Sequence, residues 1–320
     1  MVPSATRPAL EKVKRPFESG QGHFWERYTS PHTHPGGSVW RTIVQKLRVL
    51  VIFLLRRMAL GPGRMAALEG LRKLQGSAAG KEVLVIGSGP SAENLNLREV
   101  SKKQAAGQLI VVATNYFLQS PLARTVTPNY VIWADSAFDP ANPASKPAWD
   151  RLSKQEKVTL VSPWTWQRAV SDKAVAERAV FFDNDSLEGW SKNISPLKPR
   201  GYQGSTGVKA LALALHLGPA TTFIIGIDLS YYRNFVVDED NRVLRKPTHL
   251  KDADSGSQEI SQHSVNGLAD ALYSTANQFL ALRTHFSGAS VVNLNPHSLV
   301  DAFPKAPGHA LLKKPRKPLA

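Results

Sequence analysis

No cysteine occurs anywhere in the 320 residues. That absence excludes a disulfide scaffold, a thiolate metal site and a cysteine nucleophile together. Long apolar runs are missing as well. The longest extends only from Val49 to Leu55, bracketed by Lys46 and Arg48 before it and Arg56 and Arg57 after it. A bilayer-spanning helix needs roughly twenty apolar residues, so this segment is too short to be one. No apolar core of a secretory signal follows the charged, proline-bearing start (Pro3, Arg7, Pro8, Glu11, Lys12), so a signal peptide is not expected. No internal repeat is evident. What remains is an ordinary globular balance, 42% apolar, enough for a sizeable core.

The formal charge of +15 is unevenly placed. Residues 1–80 hold 13 Lys and Arg against 4 Asp and Glu, and residues 305–320 add five basic residues and no acid. The stretch between them is nearly neutral. The two ends therefore read as devices for an anionic partner, a lipid surface or nucleic acid, rather than as one basic face of the fold. The aromatic-interleaved basic pattern of a nucleic-acid module is missing, so no specific nucleic acid is expected.

Along the chain, residues 1–38 are rich in Pro, Gly, Ser and His and read as a loosely draped basic segment. Residues 39–80 read as amphipathic helices and a linker, with a break expected at Gly61-Pro62-Gly63. Two alternatives stay open for the helix around Trp40 to Leu60: an interfacial helix on a membrane, or a helix packed on the domain. From Lys81 to 304, short apolar strands alternate with helices: Glu82–Ile86, Gln108–Ala113, Tyr130–Ala134, Val158–Val161, Val180–Phe182, Thr222–Ile227 and Ser290–Leu294. The pattern predicts one α/β domain, a mostly parallel sheet covered by helices on both faces, Rossmann-like, with a helical basic N-terminal extension. Residues 305–320 read as a basic tail.

Ligands in such sheets bind beyond the carboxyl ends of the strands, so strand-end residues are the candidates. Gly87-Ser88-Gly89-Pro90-Ser91 follows the first strand. Its glycines and following helix start suit a phosphate, although a tight structural turn needs the same residues. Thr114-Asn115 follows the second; Asn115 offers a donor and an acceptor, but Asn is also a common turn residue. Ser205, Thr206 and Gly207 open an Ala/Leu-rich helix and are N-cap or phosphate residues. Asp228 closes the sixth strand and is followed by Tyr231 and Tyr232, whose phenols can donate to a leaving phosphate; a plain loop cap is the alternative for Asp228. His263, in Ser261-Gln262-His263-Ser264, precedes the long helix from Leu268 and is the histidine best placed to act as a base. His216, inside the apolar helix, reads as structural.

In chain order, GSGPSAENL, ATNYF, GSTGVKALALALHLG with IIGIDLSYY, QHS and NLNPHSLVDAF resemble the bacterial sialyltransferases of glycosyltransferase family 42 over roughly residues 82–304. The resemblance implies an inverting, metal-independent transfer from a CMP-activated, sialic-acid-like sugar to a glycan or lipid-linked acceptor. CMP-sugar would be a co-substrate, and no cofactor or metal is implied. His263 would be the general base, Tyr231 or Tyr232 would assist the departing phosphate, and Asn115, Ser88 and Thr206 would hold the nucleotide. Residues 233–262 would form a lid. Gln203 or Arg200 stands near a family arginine. Asp135-Ser136 stands where the family has an asparagine, and is similar instead to the hydroxymethylpterin diphosphokinases and motility-associated glycosyltransferases, in which Asp135 would serve Mg²⁺. Two alternatives accompany the leading reading: a Mg²⁺-dependent pterin diphosphokinase, and a non-enzymatic surface- or nucleic-acid-binding protein. A cytoplasmic enzyme is expected, and the basic charge of residues 1–75 and of the C-terminal tail, which lie outside the resemblance, would hold it on the inner membrane face. The oligomeric state stays open.

Overall fold

The computed structural model describes residues 39–185, 187, 190–191, 193–200, 205–229, 232, 235–245, 259–260 and 264–313. Strands β1 (Glu82–Ile86), β2 (Leu109–Thr114), β3 (Tyr130–Ile132), β4 (Thr159–Pro163), β5 (Val180–Phe182) and β6 (Thr221–Ile225) form one sheet with a last strand, Val291–Asn293. The order across it is last strand, β6, β1, β2, β3, β4, β5, and every pairing is parallel. The strands are near-continuous Val, Ile and Leu because both faces are covered. Leu84, Ile86, Val111 and Leu160 point to one side, and Val83, Val85, Val112 and Val161 to the other.

On the first face lie α-helices Leu97–Ala105, Lys146–Ser153 and Lys173–Arg178. On the second lie a helix spanning Thr206–His216 and a long one spanning Val265–His285. In chain order these five are α3, α4, α5, α6 and α7; they follow α1 (Val39–Ala67) and α2 (Glu69–Lys73). Helix α6 is buried from Val208 to His216, with Lys209 half-buried, as expected for a helix apolar nearly all round. His216 donates from Nε2 to the Leu71 carbonyl at 2.9 Å, tying α2 onto α6, and burial lowers its pKa.

The expected break at Gly61-Pro62-Gly63 does not occur; α1 runs through it. One lost hydrogen bond at a proline is outweighed because the helix end is held from afar. Arg57 and Arg64 both donate to the buried Asp183 that follows β5, Arg57 Nη2 at 2.9 Å and Arg64 Nε at 3.0 Å, and Arg57 Nε lies 3.0 Å from Asp185. Trp190 donates to the Lys46 carbonyl at 2.8 Å. The helix thus docks on the domain along one side, while Ile43, Val44, Leu47, Val51, Ile52, Leu54, Leu55 and Met58 are exposed. No helix among the described residues is long and apolar enough to cross a membrane.

The packed core begins ahead of Lys81, with Leu68, Leu71 and Ala78 fully buried. It also extends beyond 304. Leu311 is fully buried, the Asn96 N–H donates to its carbonyl at 2.8 Å, and the Lys313 N–H donates to the Asn94 carbonyl at 2.8 Å. Within the expected lid, a small antiparallel sheet of β7 (Phe235–Val237), β8 (Val243–Arg245) and β9 (Glu259–Ile260) is present. The last strand of the large sheet is β10.

Candidate functional site

The chain runs outward from β1 through β2, β3 and β4 to β5, then returns to lay β6 on the other side of β1. The order reverses between β1 and β6, the switch point beyond whose strand ends ligands bind in open sheets of this kind. Three of the sequence candidates meet at this place. The Gly87–Ser91 turn follows β1, Asn115 follows the neighbouring β2, and Asp228 lies three residues beyond β6.

The two loops at the switch are fused into one unit. Gly87 N–H donates to Ile225 O and Gly89 N–H to Gly226 O, both at 2.8 Å. A Cβ on Gly87 would stand 2.2 Å from the Gly226 carbonyl oxygen, and one on Gly89 would stand 2.6 Å from Asp228 Oδ2. Gly226 itself has φ of 69°, in the left-handed region, and a Cβ there would be 2.5 Å from Gly87 O. The glycines of the turn are therefore required by the close approach of the two loops, whatever else the turn does.

Asp228 is the centre of that unit and only 6% exposed. Its Oδ2 accepts from Ser91 N–H at 2.9 Å, and its Oδ1 accepts from the Ser91 hydroxyl and from Asn295 Nδ2 at 2.7 Å. The Ser91 oxygen in turn accepts from Gly226 N–H at 2.9 Å. Asp228 and Ser91 brace the loops; their polar atoms are spent on each other. Asn295 completes the brace and was not singled out from the sequence. It follows β10, which lies beside β6, so the strand-end rule that found Asp228 points to it too.

Asn115 differs. Its φ is 46°, a left-handed conformation that non-glycine residues seldom adopt. Its carbonyl accepts the indole N–H of Trp133 at 3.0 Å, which holds the backbone there. Its side-chain Oδ1 is buried without a donor. A strained residue and an unsatisfied buried acceptor coincide at the end of one strand, next to the switch point.

Helix α6 starts against the loop that follows β6. Ser205 caps it, accepting from Val208 N–H at 3.4 Å, and a Cβ on Gly207 would rest 3.4 Å from the Ile227 side chain in the loop after β6. Thr206 and Gly207 are half-buried, as is Ser88 across from them. The helix crosses β1, β2 and β3, so its N-terminal N–H groups sit at the sheet edge that holds Asn115.

On the β3 side of this helix start stands Lys209, the lone charge in an Ala/Leu helix and a residue the motif reading passed over. Burial, and then the Arg200 guanidinium, lower its pKa to about 7, while the Asp135 carboxylate pulls the other way. Behind it a cavity of about 20 Å³ lies between α6 and β3–β5, lined by Ile132, Val161, Phe182, Asp183, Arg200 and Lys209. That is room for a water or two and not for a nucleotide.

The remaining candidates are dispersed or lie elsewhere. Asp135 is exposed, and its Oδ1 caps the turn that begins at Ser136, accepting from Ala137 N–H at 3.0 Å. Ser264 caps α7 by accepting from Gly267 N–H at 3.2 Å. Tyr232 is half-buried, its N–H donating to Leu229 O at 3.1 Å. His263, Tyr231 and Gln203 lie outside the described residues. Among the described residues no three His, Asp or Glu side chains are grouped so as to hold a metal ion.

No protein-family model matches the chain, and no curated protein matches it. Among solved structures, a MAf glycosyltransferase from Magnetospirillum magneticum AMB-1 is similar over 76% of this chain, at a TM-score of 0.43 and 14% identity. The chain spans 38% of the length of that one.

Proposed function

We propose that the protein is an inverting glycosyltransferase that moves a sialic-acid-like sugar from a CMP-activated donor to a glycan or lipid-linked acceptor, working at a membrane surface. The observation that carries this reading is Asn115. Its buried Oδ1 faces no donor of the protein's own. The amino group of a cytosine is a donor that this oxygen could accept from. The α6 start and the half-buried Ser88 would receive the phosphate. The resemblance of the ordered motifs to those of glycosyltransferase family 42 supports the same assignment.

In the reaction, the acceptor hydroxyl oxygen attacks the anomeric carbon while the bond from that carbon to the phosphate oxygen breaks. His263 takes the hydroxyl proton, for which an imidazole is suited near neutral pH. Tyr231 or Tyr232 donates a hydrogen bond to the departing CMP phosphate, which needs no metal ion in this role.

Thermal unfolding with CMP, CDP, UMP and ATP, each with and without Mg²⁺, tests the reading. CMP without metal should stabilise by about 2.7 kcal/mol at a hundredfold excess over its Kd, and UMP should not. Stabilisation by ATP that requires Mg²⁺ would transfer the assignment to a diphosphokinase using Asp135. Stabilisation by none of the four would end the nucleotide reading.

A further inference from the structure

We propose that α1 is a lipid-docking keel: its outward apolar stripe seats the protein on an anionic membrane, while its opposite side is riveted to the domain. Val44, Leu47, Val51, Leu54 and Met58 recur at spacings of three and four and are each 45–81% exposed. They form one stripe of the helix. Leu55, 60% exposed, and Ile52 widen it beyond the narrow seam of a two-helix coil.

Charge decides between a lipid surface and a second copy. The helix carries six Lys and Arg and no Asp or Glu. Two of the six, Arg57 and Arg64, are spent on Asp183, and a partner helix of the same sequence would add further cations and no acid. Anionic headgroups are complementary to a helix of this composition. Trp190, 50% exposed and bonded to the Lys46 carbonyl, adds an aromatic of the kind that settles at a membrane–water boundary.

The rivets set the orientation. Arg57 and Arg64 are committed to Asp183, and Asp183 follows β5 at the carboxyl edge of the sheet. The same carboxyl edge carries the candidate loops after β1 and β6, four and five strand positions across the sheet from β5. A seated α1 therefore keeps the catalytic edge close to the lipid. Resting on the glycosyl-transfer reading, this selects a lipid-linked acceptor over a soluble glycan.

Flotation of the full chain with phosphatidylcholine vesicles, and with vesicles of phosphatidylcholine and phosphatidylglycerol in equal parts, tests the docking. Binding is expected only with phosphatidylglycerol, weakening with added salt. The double variant Leu47→Glu/Leu54→Glu, changed at exposed sites, should lose roughly tenfold or more in vesicle partitioning with an unchanged melting curve. Equal binding to both vesicles, binding to neither, or binding unaltered in the variant would overturn the proposal. So would a wild-type dimer, seen by sedimentation, that the variant converts to monomer. CMP stabilisation measured on the same samples separates the two readings. Vesicle binding lost with CMP binding kept defeats the docking alone, and the reverse defeats the donor assignment alone.

Discussion

Asn115 sits in a backbone region that costs a non-glycine residue about 1 kcal/mol, and it buries an acceptor with no donor. On the nucleotide reading, a contact with the bound base offsets these costs. Asn115→Gly relaxes both penalties and should stabilise the free protein by about 1 kcal/mol in urea melts, while the shift produced by CMP disappears. If CMP still stabilises Asn115→Gly fully, the amide is not a nucleotide contact. Lys209 offers a second residue-scale test. Its pKa is about 7 in the folded chain against an ordinary 10.5. Below about pH 7 the amine is charged in both states and the burial penalty is felt in full. Between there and 10.5 the unfolded chain binds the extra proton, so stability rises with pH. Lys209→Met lacks this rise. Melts at about pH 6 and about pH 9 should show wild type gaining on the variant at the higher pH; parallel behaviour would mean the amine titrates normally. An asparagine at a strand end was readable as a candidate, but its left-handed backbone was not, because φ is set by Trp133 and the turn beyond it. The reverse holds for Gly87 and Gly89, whose spacing suits a phosphate loop while their contacts answer to Gly226.

Among the elements, α6 was the easiest to read, since an unbroken Ala/Leu run can only be a helix buried on most sides. Helix α1 was harder. Its Gly-Pro-Gly is a local stop signal, overruled by carboxylates more than a hundred residues away, at Asp183 and Asp185. No window of sequence contains both partners. Removing the two arginines leaves Asp183 buried, fully so in its side chain, and short of cations. Arg57→Ala/Arg64→Ala should therefore lose roughly 3 kcal/mol in urea melts. Hydrogen exchange should quicken along residues 39–67, with β1 and β2 still protected. Retained protection over α1 would show that packing at Ala67 and Leu68 suffices without the ion pairs. The three short strands β7–β9 were legible only as a charged lid, because Asp238, Asp240 and Arg242 at the β7–β8 turn hide the pairing of so few residues.

At the scale of the whole molecule, the parallel sheet was legible because strands covered on both faces must be apolar throughout. The strand order was not, although it decides where the switch point lies. Nor was the return of residues 305–313, which by charge read as a tail, while Leu311 and Leu312 stitch back onto Leu95 just past the glycine-rich turn. That stitch joins one of the earliest parts of the domain to be synthesised to the last. A ribosome delivers α1 and β1 long before Leu311 leaves the exit tunnel, at about 5–20 residues per second. The loops after β1 and β6 therefore wait, unfinished at one seam, until Leu311 has emerged. On the lipid-docking proposal, the stripe of α1 is exposed to a membrane before Asp183, Asp185 and the returning Leu311 have been made, so mooring would precede completion of the site.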